Sequence, residues 1–323
     1  MVATNVPLTA APADTLKRRF GEALSTHESL APYTTFGIGG PADFFICARD
    51  PETFIRAFNA ARELNLNYFV LGGGSNVLIS DEGFRGLVIK ADLKEITRDG
   101  NQVTVGAGVH FDDLVDWAAD HDLAGLAFAA GIAGSVGGAI YGNAGCYGKE
   151  IGELVTELAL MTPSGELQVV DSEYCGFSYR HSRLKETGDI VLTATLKLES
   201  GDGDALRTEA EDHRRHRAER HPTSDCSAGC FFKNIEDASA PHGKVAAGAL
   251  LEQVGAKSQT EGGAAVHSGH ANIIVNADGA TASQVLTLAK RLRRMVKTQL
   301  GYELSREIIF LGPHGPEPEQ WED

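Results

Sequence analysis

Positive charge is scarce in this sequence, with 29 lysines and arginines against 44 aspartates and glutamates and a formal net charge of −15. A surface of that sign repels nucleic acid and anionic membrane, so neither is expected as a partner. No apolar run approaches the roughly 20 residues that cross a bilayer. The N-terminus, MVATNVPLTAAPADTLKRRF, has no basic start followed by an apolar core, so no secretory signal is predicted. The five cysteines, Cys47, Cys146, Cys175, Cys226 and Cys230, are odd in number and irregularly spaced. That pattern argues against a disulfide framework and for a reducing cytoplasm. Cys226 and Cys230 lack the second pair that a zinc ribbon requires, and no metal site is predicted. No glycine cluster ends in Gly-Lys-Ser or Gly-Lys-Thr, which excludes a P-loop, and no internal repeat recurs at a fixed period.

What the chain has in excess is glycine, 37 copies in 323 residues, gathered into clusters. The hydrophobic fraction of 42% and charged fraction of 23% are ordinary for a chain that buries real cores. Its length predicts two or three compact units. The reading along the chain is a loose tail over residues 1–18, an α+β unit over 19–84, a second over 85–200, a third over 201–313 and a disordered tail over 314–323. In the first, Phe54, Ile55, Phe58, Ala61 and Leu64 have helical spacing between strand-like runs. In the second, TELALMTPSGELQVVD reads as a hairpin turning at Pro163-Ser164-Gly165, and Ile190, Leu192, Ala194, Leu196 and Leu198 alternate as a half-buried strand does. The acidic stretch Glu199–Ala205 is the expected linker to the third, which opens with a polar helix over Leu206–Arg220. There Val285, Leu286, Ala289 and Leu292 mark a helix that Gly301 terminates, and LSREIIFLG is the final strand.

Three glycine clusters carry the functional signal. Gly37-Ile38-Gly39-Gly40-Pro41-Ala42 matches G-x-G-x-x-A in spacing, but Pro41 and the strand-like FFICA follow where a dinucleotide fingerprint opens a helix. Gly72-Gly73-Gly74-Ser75-Asn76 comes directly after a strand. Consecutive glycines let backbone N–H groups converge on an anion such as a diphosphate, although a permissive loop between strands reads equally well. The third cluster decides between these readings. Gly131, Gly134, Gly137, Gly138, Gly142, Gly145 and Gly148 are interleaved with the apolar Ile132, Val136, Ile140 and Tyr141. Glycine in ordered structure is about 0.5–1 kcal/mol less favourable than alanine. Seven of them in a segment that buries apolar side chains imply backbone passing close to a ligand.

GIGGPADFF, LGGGSNVLISD and GIAGSVGGAIYGNAGCYGKEIGE occur in this order, and the chain thereby resembles the UDP-N-acetylenolpyruvoylglucosamine reductase (MurB) family over about Ala31 to Gly312. The resemblance implies a fold of the α+β class: a vanillyl-alcohol-oxidase/PCMH-like FAD-binding domain of two subdomains, followed by a C-terminal substrate-binding domain. It implies non-covalent FAD, with Gly72, Gly73, Gly74, Ser75 and Asn76 and also Gly134, Ser135, Val136 and Gly137 at its diphosphate, and Asn143 and Ala144 along the cofactor. Ala133 and Ser135 replace a proline and a threonine usual in the family. Between Arg180 and Cys230 there is no tyrosine and no long insertion, so the chain resembles the branch without a tyrosine-bearing cap over the substrate.

The same resemblance assigns the catalytic residues. By type alone Arg180, in YRHS, reads as a surface arginine; by position it matches the family residue at the substrate's enolpyruvyl carboxylate, a role that a planar guanidinium fork suits. Cys230, in GCFFKN, reads alone as a buried structural cysteine. In the family that position is a proton donor, usually serine, and a thiol with an ordinary pKa near 8.5 is a better acid than an alcohol. Glu307 is expected on a strand face with Ser305, Ile309 and Leu311, where burial raises a carboxyl pKa. The family makes it a partner that stabilises the enol-like intermediate. Tyr179, Lys233, Asn234 and His270 are the implied substrate contacts, with a structural hydrogen bond the even alternative for His270. NADPH is the implied co-substrate, the partners are small molecules, and the protein is expected as a cytoplasmic monomer. His213, His216 and His221 sit among Arg214, Arg215, Arg217 and Arg220, whose charges repel a metal cation, so this stretch reads as a solvated helix face, with attraction of a pyrophosphate a lesser alternative. The rival readings are another flavin oxidoreductase of the same superfamily and a non-catalytic binder of FAD or a UDP-sugar.

Overall fold

A computed structural model of the chain describes residues 10–219, 221, 226–238, 240 and 243–319; Arg220 and the ends of both expected tails, 1–9 and 320–323, lie outside the described residues. The first body contains helix α1 (Ala10–Phe20), strands β1 (Leu24–Ser29) and β2 (Pro41–Ala48), helix α2 (Pro51–Glu63), and strands β3 (Tyr68–Leu71), β4 (Val77–Ile79) and β5 (Phe84–Ala91). Its four-stranded sheet has the order β1-β2-β5-β3, parallel except for the β1–β2 pair. Side chains alternate across β2. Phe44 and Ile46 enter the core beneath α2 with Phe54, Phe58 and Ala61, whereas Phe45 joins Leu71, Ile79, Phe84 and Val88 on the opposite face. Asp50 caps α2 by accepting from Thr53 N at 2.7 Å, with Pro51 in the first turn.

Two expectations change here. The loose tail gives way at Ala10 to α1, because Leu16 is fully buried in the α2 core and Arg19 pairs with Glu63 at 2.7 Å. β5 also belongs to this body, extending it beyond residue 84 to Ala91.

The second body is a five-stranded antiparallel sheet. In order across it stand Leu167–Asp171, Val155–Met161, Ile190–Lys197, β7 (Gln102–Gly106) and β6 (Ile96–Asp99). The expected hairpin is present, with Glu157 opposite Asp171, Met161 opposite Leu167, and Gly165 in the left-handed region at φ 84°. Helices α3 (Phe111–Asp120) and α4 (Val136–Gly142) fill its core with Phe111, Leu114, Val136 and Ile140. The expected linker is ordered: Glu199 and Ser200 pair with Ala124 and Leu123, and Asp202 caps the helix Gly203–Ala218. That helix packs on the second body through fully buried Ala210, and Arg214 holds Asp112 and Asp116 of α3 at 2.8 and 2.7 Å. The passage to the third body therefore follows the helix rather than preceding it at residue 201. Its charged face reads as solvated in sequence because the aspartates that pair with it lie on a distant segment.

The third body packs the helices Ala247–Gln253 and Ala282–Leu300 on a three-stranded antiparallel sheet ending in Ile274–Asn276. Its core joins Leu250, Leu251, Val285, Leu288 and Leu292 to Phe231, Phe232 and Ile308. Gly301 ends the long helix at φ 78°. The last strand, Ile309–Gly312, returns to run parallel with β4, Ile309 opposite Val77 and Leu311 opposite Ile79. Glu307 thus precedes the strand it was expected to occupy. The expected C-terminal tail is ordered through residue 319: Gly315 and Pro316 pair back on Gly312 and Leu311, and Arg306 Nη2 donates to Glu317 O at 2.7 Å. Among the described residues, no helix is long and apolar enough to cross a membrane.

Candidate active site

The loop 72–76 leaves β3 and meets the turn that opens α4. Contact between them is backbone on backbone. A Cβ built on Gly73 lies 2.5 Å from Gly134 Cα, one on Gly134 lies 2.3 Å from Ser75 Oγ, and one on Gly72 lies 2.5 Å from Ser135 Oγ. Gly74, at φ +68°, passes so close to Tyr33 that a Cβ meets its carbonyl oxygen at 2.0 Å. The serines lock the two turns together: Ser75 Oγ donates to Ala133 O at 3.0 Å, and Ser135 Oγ accepts from Gly73 N at 3.3 Å. Among the described residues, the amides of Gly74, Ser75, Asn76, Gly134 and Ser135 make no backbone hydrogen bond. A side-chain-free surface with spare N–H donors fits a diphosphate. On α4 a Cβ at Gly142 meets nothing within 4 Å and one at Gly138 meets only Ser135 Oγ at 3.6 Å, so one flank of the helix is left open.

Not every expected cofactor residue points at this cradle. Val136 is fully buried in the second core, and Gly137 packs against Ala107, to whose carbonyl its amide donates at 2.9 Å. Asn143, 1% exposed, commits its side chain inside the protein. Its Nδ2 donates to Glu150 Oε2 at 2.6 Å and Ser178 O at 2.9 Å, and its Oδ1 accepts from Gly152 N at 3.1 Å. The amide fixes the YRHS turn, with both of its N–H groups engaged by protein. Ala144 likewise engages both backbone groups, with Ala139 O and Ile151 N.

Tyr179 and Arg180 form a two-residue turn closed by reciprocal Ser178–His181 hydrogen bonds of 3.1 and 3.0 Å. Arg180 occupies the left-handed region at φ 54°, uncommon for a residue with a side chain and a frequent mark of functional sites. Its Nη1 donates to Gly145 O at 3.2 Å. Its Nε lies 2.8 Å from Glu307 Oε1, and the ion pair joins the YRHS turn to the 305–307 segment. Lys185 Nζ supports the turn from below, donating to the Arg180 carbonyl at 2.7 Å.

Segment 230–233 is clamped on two sides. Cys230 bridges Ile273 and Phe232 bridges Arg306, while Glu307 N donates to Phe231 O and Lys233 N to Ser305 O, both at 2.8 Å. The thiol, the guanidinium and the carboxyl come together here. Although Cys230 as a residue is half-buried, its thiol is deep enough that burial pushes it up to about 11; Glu307 adds to the rise, and Arg180 and Arg217 oppose it. Burial likewise raises the Glu307 carboxyl, against the charges of Arg180, Lys185 and Lys233. The cluster adjoins the cradle directly. Ile309 N donates to Asn76 O at 2.9 Å, and Thr35 Oγ1 ties Gly74 O to Ser227 O.

The expected substrate contacts surround this cluster. The Tyr179 ring carries Lys244 Nζ 3.0 Å from its centroid, and Asn234 Oδ1 accepts from Ala247 N at 3.1 Å. Lys233 faces Glu307. His270 makes a structural bond: its Nδ1 accepts from Asn272 N at 3.2 Å, and burial lowers its pKa, which favours the neutral ring. One flank of the Arg/His helix is packed, while Arg215 and His216 are exposed. His213 stacks on Tyr147 at 4.1 Å, and Arg217 Nε donates to Gly131 O at 3.1 Å. Among the described residues, no group of three His, Cys, Asp or Glu could hold a metal ion. Two surface depressions, over the five-stranded sheet and along the helix Ala282–Leu300, contain none of the groups named here.

Sequence reasoning missed Lys185, Lys244 and Asn272. Lys185 lies five residues beyond Arg180, and Asn272 two beyond His270. What their residue types do not announce is the backbone groups they hold.

Comparison with known proteins gives consistent results. Residues 221–311 match the family described as UDP-N-acetylenolpyruvoylglucosamine reductase, C-terminal domain, and residues 42–171 match an FAD binding domain. The UDP-N-acetylenolpyruvoylglucosamine reductase of Solibacter usitatus is 38% identical over 304 residues, 90% of this chain and 97% of that protein. That of Bacillus velezensis is 37% identical over 299 residues, 91% and 96% of the two chains. The crystal structure of the Thermus caldophilus enzyme superposes with a TM-score of 0.73 at 34% identity, covering 89% of this chain and 97% of that one.

Proposed function

Because the chain belongs to the UDP-N-acetylenolpyruvoylglucosamine reductase family, we propose that Arg180, Glu307 and Cys230 together carry the reduction of the enolpyruvyl group of UDP-N-acetylenolpyruvoylglucosamine. The protein is an FAD-dependent oxidoreductase of peptidoglycan precursor synthesis, with a PCMH-like FAD-binding domain and the family's C-terminal domain. The chemistry FAD supplies when bound is hydride transfer, taken from NADPH and delivered to C3 of the enolpyruvyl group.

The chain's own residues do the rest. Gly72–Asn76 and Gly134–Ser135 hold the diphosphate through backbone N–H groups. Val136 and Gly137 support that wall from behind, and Asn143 and Ala144 fix the segment beyond it. As C3 gains hydride, charge develops at C2 and on the substrate carboxylate. Arg180 pairs with that carboxylate through its guanidinium fork. Glu307, whose carboxyl is raised by burial and lies 2.8 Å from Arg180 Nε, is the partner that stabilises the enol-like intermediate. Both act on charge that appears only in the transition state, where fixed donors are most effective.

Cys230 then protonates C2. The S–H bond breaks, the C–H bond forms, the electron pair stays on sulfur, and solvent returns the proton to the thiolate. A thiol pushed up to about 11 keeps its proton at neutral pH, which a donor requires. Tyr179, Lys233 and Asn234 contact the nucleotide-sugar, and His270 acts behind them through Asn272. The first two bodies serve the cofactor and the third the substrate. We place the enzyme in the cytoplasm as a monomer, a setting in keeping with five free cysteines.

The observation that carries this reading is the meeting of thiol, guanidinium and carboxyl beside a side-chain-free cradle. Stopped-flow measurement of the two half-reactions tests it. Cys230→Ala should leave flavin reduction by NADPH within about twofold and slow reoxidation by substrate about 10²- to 10⁴-fold. Reoxidation at the wild-type rate in that variant would remove Cys230 as the donor.

A further inference from the structure

Asn272 is 3% exposed, and its side-chain amide faces protein alone. It pairs reciprocally with one residue of the catalytic segment: Phe232 N donates to its Oδ1 at 3.0 Å, and its Nδ2 donates to Phe232 O at 2.8 Å. Its own carbonyl accepts from Phe231 N at 2.8 Å, and the next residue, Ile273, bridges Cys230. One buried residue therefore fixes the main chain of Phe231 and Phe232, directly beyond the thiol that the segment displays. A leucine of similar volume would satisfy the packing but neither side-chain bond to Phe232, so burial alone does not account for an amide here.

We infer that Asn272 is the positioning residue of the proton donor, holding the Cys230 thiol on one face of the substrate's C2. The inference rests on the assignment of Cys230 as donor. A proton delivered from a fixed thiol reaches C2 from a single face, whereas water reaching a misaligned site does not respect that face. Asn272 therefore acts on the rate of the protonation step and on the configuration of the product, and it leaves the cofactor cradle alone.

The test is a double-mutant cycle of Asn272→Leu and Cys230→Ala in the holoprotein. Flavin affinity, both half-reactions and the configuration at C2 of the lactyl product are read in each member. Asn272→Leu should keep flavin affinity and NADPH reduction within about twofold and slow reoxidation by substrate about 100-fold, as misplacement of a reacting group by about an ångström does. It should also yield a measurable fraction of the C2 epimer. On the Cys230→Ala background the same substitution should add no more than about twofold, since neighbours that act through one group are not additive. Equal slowing on both backgrounds, or slowed reoxidation with configurationally pure product, overturns the positioning role. A Cys230→Ala single variant that reoxidises at the wild-type rate instead overturns the donor assignment, so the two failures are distinct. If Asn272→Leu does not retain flavin, Asn272→Ser enters the same cycle with the same outcomes decisive.

Discussion

Around Gly73 the protein offers main chain to its cofactor, and around Cys230 it offers side chains to its substrate. The first region tolerates no added atom, because a Cβ on Gly73 or Gly134 falls within 2.5 Å of the facing turn. The second region tolerates atoms but not changes of chemistry, since a fork, a carboxyl and a thiol each answer a different demand. The cradle is built by two local turns pressed together. The cluster is assembled from three segments, 179–180, 230–234 and 305–307, that meet only because the final strand returns to β4.

The largest effect is expected where the cradle is closest. Gly73→Ala should lower the flavin bound per purified protein by more than about tenfold, the equivalent of 1.4 kcal/mol or more, with the second and third bodies still folded by circular dichroism. A yellow Gly73→Ala protein with normal flavin content would show that main-chain approach does not govern this region. Next comes the cluster: Arg180→Lys keeps the charge but loses the planar fork. It should retain flavin and lower kcat/KM about 100-fold, in the range for removing a donor aimed at developing charge. A lysine variant within about threefold of wild type would make Arg180 a point charge only.

The two regions also differ in how much of them the sequence reveals. Glycine is needed where backbone conformation and approach are local demands, so the clusters at 72–74 and 131–148 betray a ligand before any fold is known. The helix end at Gly301 and the 156–171 hairpin are legible for the same reason. The side-chain cluster is not local. Arg180 alone reads as a surface residue, and only resemblance to a family brings it to Glu307. Asn143 comes to the cofactor by resemblance alone, and its residue type does not announce that its amide binds Glu150, Ser178 and Gly152. The helix Gly203–Ala218 misleads because its Arg214 finds Asp112 and Asp116 across the fold. Helix α1 is hidden in an Ala- and Pro-rich stretch because one residue, Leu16, supplies its anchor.

The smallest effect sharpens the comparison through pH. The Cys230 thiol is raised to about 11, chiefly by burial, and the protonated form is the active one. Reoxidation by substrate should therefore stay level past the ordinary thiol value near 8.5 and decline only as pH approaches 11. In Cys230→Ser this alkaline decline should vanish. NADPH reduction, which depends on the cradle, should show no such limb in either protein. A decline centred near 8.5 would mean that the thiol is open to water.

The central claim is that one cradle and one three-group cluster act on the same substrate in turn. Holoprotein reduced with NADPH under anaerobic conditions and then mixed with UDP-N-acetylenolpyruvoylglucosamine tests it most directly. Oxidised-flavin absorbance should return in a single turnover with stoichiometric formation of UDP-N-acetylmuramate. A flavin that stays reduced while substrate is bound would contradict the account.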